Sequence, residues 1–134
     1  MSVKTRGLLD TSAVIRLGEV SDPDTLPDEL LISAITLAEL SVGPLVAHDD
    51  AVRAARQAHM QQAEADFEPL AFDAASARAF GQVAAALRGS GRKPAARAYD
   101  ALIASVALAN RLPVVTANPR DFEQIPGLTV IPLP

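Results

Sequence analysis

The chain has no cysteine and no tryptophan. Without cysteine there is no disulfide framework and no thiolate metal site, which fits a reducing cytoplasm. The aromatic residues are Phe67, Phe72, Phe80, Tyr99 and Phe122, too few for a protein that holds single strands by stacking bases on rings. No uninterrupted apolar run approaches the length of a membrane span, and the amino terminus lacks a secretory apolar segment. The expectation is a cytoplasmic chain with no membrane partner. Histidine occurs twice. His48 and His59 fall about three turns apart on one predicted surface helix, so they cannot share an ion there and are expected to be solvent-exposed.

What is present describes a folded chain. The 134 residues suit one domain, 1–134, long enough for a substantial core, and a hydrophobic content of 49% argues against disorder. The net charge of −4 would ordinarily count against a nucleic-acid partner, but its distribution is uneven. Acids crowd the stretch from Glu19 to Glu29, while none occurs from Ala74 through Tyr99. Arg88, Arg92, Lys93 and Arg97 fall together in that acid-free stretch. They form either a solvated loop between helix ends or a local patch that attracts anions.

Taken in order, Leu8-Leu9 with Val3 behind it reads as a short buried strand that stops at Asp10. A helix follows from Thr11 to Gly18, then a polar loop from Glu19 to Glu29 that carries Pro23 and Pro27. Leu30 to Ser33 reads as a second strand. Ser33 or Thr36 caps the next helix, which runs to about Val42 before Gly43-Pro44, and Thr36 with Glu39 has capping-box spacing. A helix from about Asp49 to Ala65 packs back as half of a hairpin. Pro69 to Phe72 is read as a third strand, after which Asp73 caps a helix from Ala74 to Leu87 that Gly89-Ser90-Gly91 ends. A helix from Ala95 to Arg111 stops before Pro113. Val114 to Thr116 is the next strand, Asn118 to Phe122 a loop or single turn, and Leu128 to Ile131 the last strand. This alternation predicts an α/β fold: a mostly parallel sheet with helices on both faces.

Acids mark the corners of this pattern. Asp10 sits at the carboxyl end of the first strand, where open α/β sheets bind ligands; it is also well placed merely to cap the following helix. Glu39 is surrounded by apolar residues just past the second strand and is either part of the capping box or part of a site. Asp100 opens the strongly apolar run Ala101 to Ala109, where it either complements the helix dipole or faces a polar site. Asp121 lies just past the strand that ends at Thr116. Asp10 and the loop from Thr116 to Asp121 share one rim of a parallel sheet. Converging carboxylates repel one another and resist ionisation, and a hard divalent cation relieves that repulsion. Oxygen ligands with neither histidine nor cysteine select Mg²⁺ or Mn²⁺ over zinc.

Four segments carry a family resemblance: Leu8-Leu9-Asp10-Thr11-Ser12, Ile35-Thr36-Leu37-Ala38-Glu39-Leu40, Tyr99-Asp100-Ala101-Leu102-Ile103-Ala104 and Thr116-Ala117-Asn118-Pro119-Arg120-Asp121-Phe122. Together they resemble the four acidic motifs of PIN-domain ribonucleases, and in particular the toxin subunits of VapBC toxin–antitoxin pairs. The resemblance covers nearly the whole chain, in order. It implies a three-layer α/β/α sandwich, a homodimer, and Mg²⁺- or Mn²⁺-dependent cleavage of RNA. By position, Asp10, Glu39 and Asp100 match the acids that hold the metal directly or through water. The fourth catalytic position falls on Asn118 or on Asp121. The hydroxyls of Thr11, Ser12 and Thr116 would hold metal-bound water, and Arg88, Arg92, Lys93 and Arg97 would hold the RNA phosphodiester beside Asp100.

The resulting expectation is a metal-dependent endoribonuclease, the toxin of a pair whose antitoxin covers the acidic pocket. No Ser-His or Cys-His pair competes for the nucleophile's role. Two rivals stand beside it. A phosphoaspartate phosphatase also places an acid after its first strand, but generally wants a second acid two residues on, where this chain has Ser12. A catalytically silent PIN module would bind RNA or a protein partner without turnover.

Overall fold

The computed structural model describes residues 4–91 and 98–134. Four strands, β1 (Arg6–Leu9), β2 (Glu29–Ile32), β3 (Val114–Thr116) and β4 (Val130–Pro132), form one sheet in the order β2-β1-β3-β4. Every pairing is parallel; Leu9 lies opposite both Ile32 and Val115. A parallel sheet must be covered on both faces, and β1 is apolar on consecutive positions for that reason. Leu8 and Leu9 are both fully buried and, by the strand's alternation, face opposite ways.

The helices form the two outer layers. Leu8 and Val114 pack with Val83 and Leu87 of α4 (Ala74–Gly89), Ala104 of α5 (Ala98–Ala109), and Phe122. Leu9 and Val115 pack with Ala13 of α1 (Thr11–Arg16), Leu40 of α2 (Ala34–Leu45) and Ala63 of α3 (Asp50–Asp66). The chain is therefore the expected α/β/α sandwich, with α2 and α3 as the expected hairpin.

Three local expectations need correction. Residues Pro69 to Phe72 do not make a strand. They contribute one parallel bridge, Leu70 to Ser33, in which the Leu70 N–H donates to Ile32 O at 2.9 Å and the Ala34 N–H donates to Leu70 O at 2.8 Å. Pro69 has no N–H to offer a ladder, and β2 turns into a helix at Ala34, so nothing remains alongside for Ala71 and Phe72. Next, α2 does not stop before Gly43-Pro44 but continues to Leu45. Its last carbonyls are satisfied from α3, since Arg56 Nη1 donates to Gly43 O at 3.0 Å and Arg53 Nε donates to Pro44 O at 3.3 Å. The last strand starts two residues late, at Val130, because Gly127 takes φ +80° and the Leu128 N–H donates back to Ile125 O at 3.3 Å. The expected start of the final helix at Ala95 lies outside the described residues.

Candidate active site

The ladder carries Asp10 to the carboxyl-end rim. Its N–H still donates to Val115 O at 3.0 Å, in extended backbone, and the helix begins one residue later. The residue is 3% exposed. Oδ1 accepts from the Ala13 N–H at 2.8 Å, which is the helix cap, and from Ser12 Oγ at 2.7 Å. Oδ2 accepts from Thr116 Oγ1 at 2.5 Å, across the sheet from β3. Capping and site chemistry are thus divided between the two oxygens of one carboxylate: Oδ1 completes the helix, and Oδ2 faces the neighbouring strand end.

Glu39 comes to the same rim from α2. The capping box does not form, because Ser33 is the cap: its Oγ accepts from the Thr36 N–H at 3.2 Å. Thr36 is fully buried inside the helix. Freed from a capping role, Glu39 reaches toward α1, where Oε1 accepts from Thr11 Oγ1 at 2.7 Å. Thr11 Oγ1 also lies 3.2 Å from Thr36 Oγ1. A hydroxyl has one proton, and the shorter contact to an anion takes it.

Burial pushes the Glu39 carboxyl above its ordinary range, the Thr11 hydrogen bond pulls it back, and the negative charge of Asp10 pushes it up again. Neither Asp10 nor Glu39 forms an ion pair among the described residues, where the ion pairs are Arg6–Glu29, Arg16–Glu19 and Arg53–Asp50. Two carboxylates close enough for one charge to act on the other, surrounded by hydroxyls and without a basic partner among the described residues, form a hard-oxygen donor set. That chemistry fits a divalent cation such as Mg²⁺.

The other acids are placed less closely. Asp100 stands half-buried on the first turn of α5, and α5 packs against α2, the helix that carries Glu39. Asp121 closes the single turn Pro119–Asp121 and is half-buried, while Asn118 is exposed. Among the described residues no three His, Asp or Glu side chains are grouped so as to hold a metal ion. The structure brings Asp10 and Glu39 together and does not gather Asp100 or Asp121 into one cluster with them.

The family model for the PIN domain matches residues 7–128. This chain belongs to the PIN-domain family. Among its relatives, Ribonuclease VapC5 of Mycobacterium tuberculosis is 38% identical over 123 residues, covering 90% of this chain and 88% of that protein. The crystal structure of VapBC-5, a member of the VapBC family of toxin–antitoxin systems from the same organism, matches with a TM-score of 0.80 at 36% identity, over 96% of this chain and 98% of that one. DNA-bound VapBC from Salmonella typhimurium matches with a TM-score of 0.74 at 28% identity, over 98% and 100% of the two chains.

In this PIN domain the hydroxyls at the rim hydrogen-bond the acids beside them. Thr11, Ser12 and Thr116 donate to the carboxylates themselves. Of the basic residues, Arg88 is exposed on the last turn of α4, and Arg92, Lys93 and Arg97 lie outside the described residues. His48 is exposed, in the loop before α3 and not on the helix. His59 is half-buried, contrary to expectation, because α1 packs against α3; it lines a cavity of about 340 Å³ with Ile15, Leu17 and Phe67. No described helix is long and apolar enough to cross a membrane. The sequence left the cap open between Ser33 and Thr36 and did not reveal the place of Thr36 behind Thr11. A threonine flanked by Ile35 and Leu37 was the available signal.

Proposed function

We propose that this PIN domain is a divalent-metal-dependent endoribonuclease and the toxin of a toxin–antitoxin pair. The observation that carries the reading is the pairing of Asp10 and Glu39 at the carboxyl-end rim of the sheet, with Glu39 held against both burial and its neighbour's charge. The likeness to a protein named as a ribonuclease supports RNA as the substrate class. Asp10, Glu39 and Asp100 would hold Mg²⁺ or Mn²⁺, and Asn118 or Asp121 would complete the fourth position. When bound, such an ion lowers the pKa of a water and stabilises charge on a phosphoryl group under attack.

The chain's own residues prepare the site for this chemistry. Ser12, Thr116 and the Ala13 amide fix the direction of the Asp10 carboxylate. Thr11 does the same for Glu39. Both carboxylates then stand as preorganised acceptors that need no rearrangement when a cation arrives. Arg88, with Arg92, Lys93 and Arg97, would offset the negative pocket and hold the RNA backbone. The similar toxin–antitoxin structures support a cognate antitoxin as partner, and a homodimer and a cytoplasmic location complete the proposal.

Cleavage of a mixed RNA pool by the purified chain tests this. Fragments are expected with Mg²⁺ or Mn²⁺, not in EDTA, and are lost in Asp10→Asn and Asp100→Asn. Fragments that persist in EDTA, or in both variants, would overturn the metal-dependent mechanism.

A further inference from the structure

The sheet ladder gives out at Thr116. Leu133 N–H donates to Thr116 O at 2.7 Å, and the next two amides of the chain turn to side chains instead. Ala117 N–H donates to Ser12 Oγ at 3.1 Å, and Asn118 N–H donates to Thr116 Oγ1 at 2.9 Å. Those same two hydroxyls donate to Asp10, Ser12 to Oδ1 and Thr116 to Oδ2. Two relays therefore run side by side, each from a backbone amide through a hydroxyl to one oxygen of the same carboxylate.

The direction of both relays is fixed by elementary accounting. A hydroxyl has one proton and two lone pairs, and an amide N–H can only donate. The proton must go to the carboxylate, and the lone pairs receive the amides. A hydroxyl that donates to an anion is polarised into a better acceptor, so each relay strengthens along its length. Asp10 is 3% exposed and Thr116 fully buried, so little water competes for the contact between them, while Ser12 and Ala117 are half-buried and Asn118 is exposed.

From this geometry we infer that Ser12 and Thr116 are positioning residues that tie the loop from Ala117 to Asp121 to the Asp10 carboxylate. The loop's first two residues are registered on the first acid of the site, and with them the backbone that bears Asn118 and Asp121. The consequence for metal binding rests on the reading of Asp10 as a metal-holding acid; the tie itself does not. Under that reading, loosening the loop weakens the cation, and the cation in turn tightens the loop.

Amide exchange followed residue by residue on the full chain, with neither metal nor RNA, tests the tie. Ser12→Ala is expected to speed exchange at Ala117 by about tenfold, the loss of one well-placed hydrogen bond, with the amide of Leu8 in β1 unchanged. Thr116→Val is expected to do the same at Asn118, and Thr116→Ser to restore protection. Mn²⁺ affinity should fall in Ser12→Ala and Thr116→Val and recover in Thr116→Ser. Wild-type exchange at Ala117 and Asn118 in the hydroxyl-free variants would overturn the proposal, as would equal acceleration at Leu8. Unchanged Mn²⁺ affinity beside a loosened loop would overturn its consequence for the metal. If Ser12→Ala does not fold, the Thr116 pair decides alone. The exchange measurement needs no cleavage activity, so the tie and the nuclease reading fail separately.

Discussion

Glu39 is the residue on which the electrostatics of the site are most plainly written. Its carboxyl is raised chiefly by burial and further by Asp10, against the pull of the Thr11 hydroxyl. An acid raised by folding binds its proton more tightly in the folded chain than in the unfolded one. The resulting penalty is absent below the ordinary carboxylate range and appears as pH rises through the ordinary value to the raised one. Metal-free Glu39→Gln should therefore melt a few degrees above the wild-type chain at neutral pH, with the difference closing as pH falls toward 4. Thermal unfolding across that pH range measures it; a variant less stable than wild type at neutral pH would contradict the assigned balance. The neighbouring Asp10 carboxylate accepts three hydrogen bonds. Asparagine at that position keeps an acceptor for the Ala13 amide, so Asp10→Asn removes charge while retaining the cap.

The elements were legible in the sequence where a cap or a period declared them. Asp10, Ser33, Asp49 and Asp73 each precede a helix and each accepts the amide hydrogen bond expected of a cap. Asp73 takes the Ser76 N–H at 2.9 Å and the Ser76 hydroxyl at 3.0 Å, and the amide bond is the larger cause of its lowered pKa. A carboxyl lowered by folding contributes stability above its ordinary pKa and loses it as pH falls through the lowered value. Asp73→Ala should thus reduce the melting temperature at pH 7 by a few degrees, and the two chains should converge in acid. Equal melting temperatures at pH 7 would remove the cap from the account. The misread elements share another cause. Pro69 to Phe72 had a strand's composition but found a partner for one bridge only, and Pro44 had a breaker's identity but sat where two arginines satisfy the helix end. Partners distant in sequence decided both.

At the scale of the whole molecule, the order of strands makes the site. The alternation of strands and helices foretold a parallel sheet, and a parallel sheet puts every strand's carboxyl end at one rim. Asp10 could be placed from that alone. Glu39 could not, since its position depends on which way α2 faces, and the capping-box spacing pointed elsewhere. Gly7 shows how closely the central strand is enclosed: a Cβ there would lie 2.9 Å from both Pro27 Cγ and Val115 Cγ2. Gly7→Ala should consequently cost about 1–3 kcal/mol, the usual range for overpacking. Chemical denaturation checks it, and a neutral effect would mean the strand has more room than the structure gives it.

The central claim is that Asp10, Glu39 and Asp100 together hold a divalent cation, and a Mn²⁺ titration followed by electron paramagnetic resonance tests it without any substrate. Wild-type chain should bind Mn²⁺, and Asp10→Asn, Glu39→Gln and Asp100→Asn should each weaken binding by about tenfold or more, the loss of one charged ligand at roughly 1.4 kcal/mol per decade. Wild-type affinity retained in all three variants would contradict the account, because the cation would then be held by other residues.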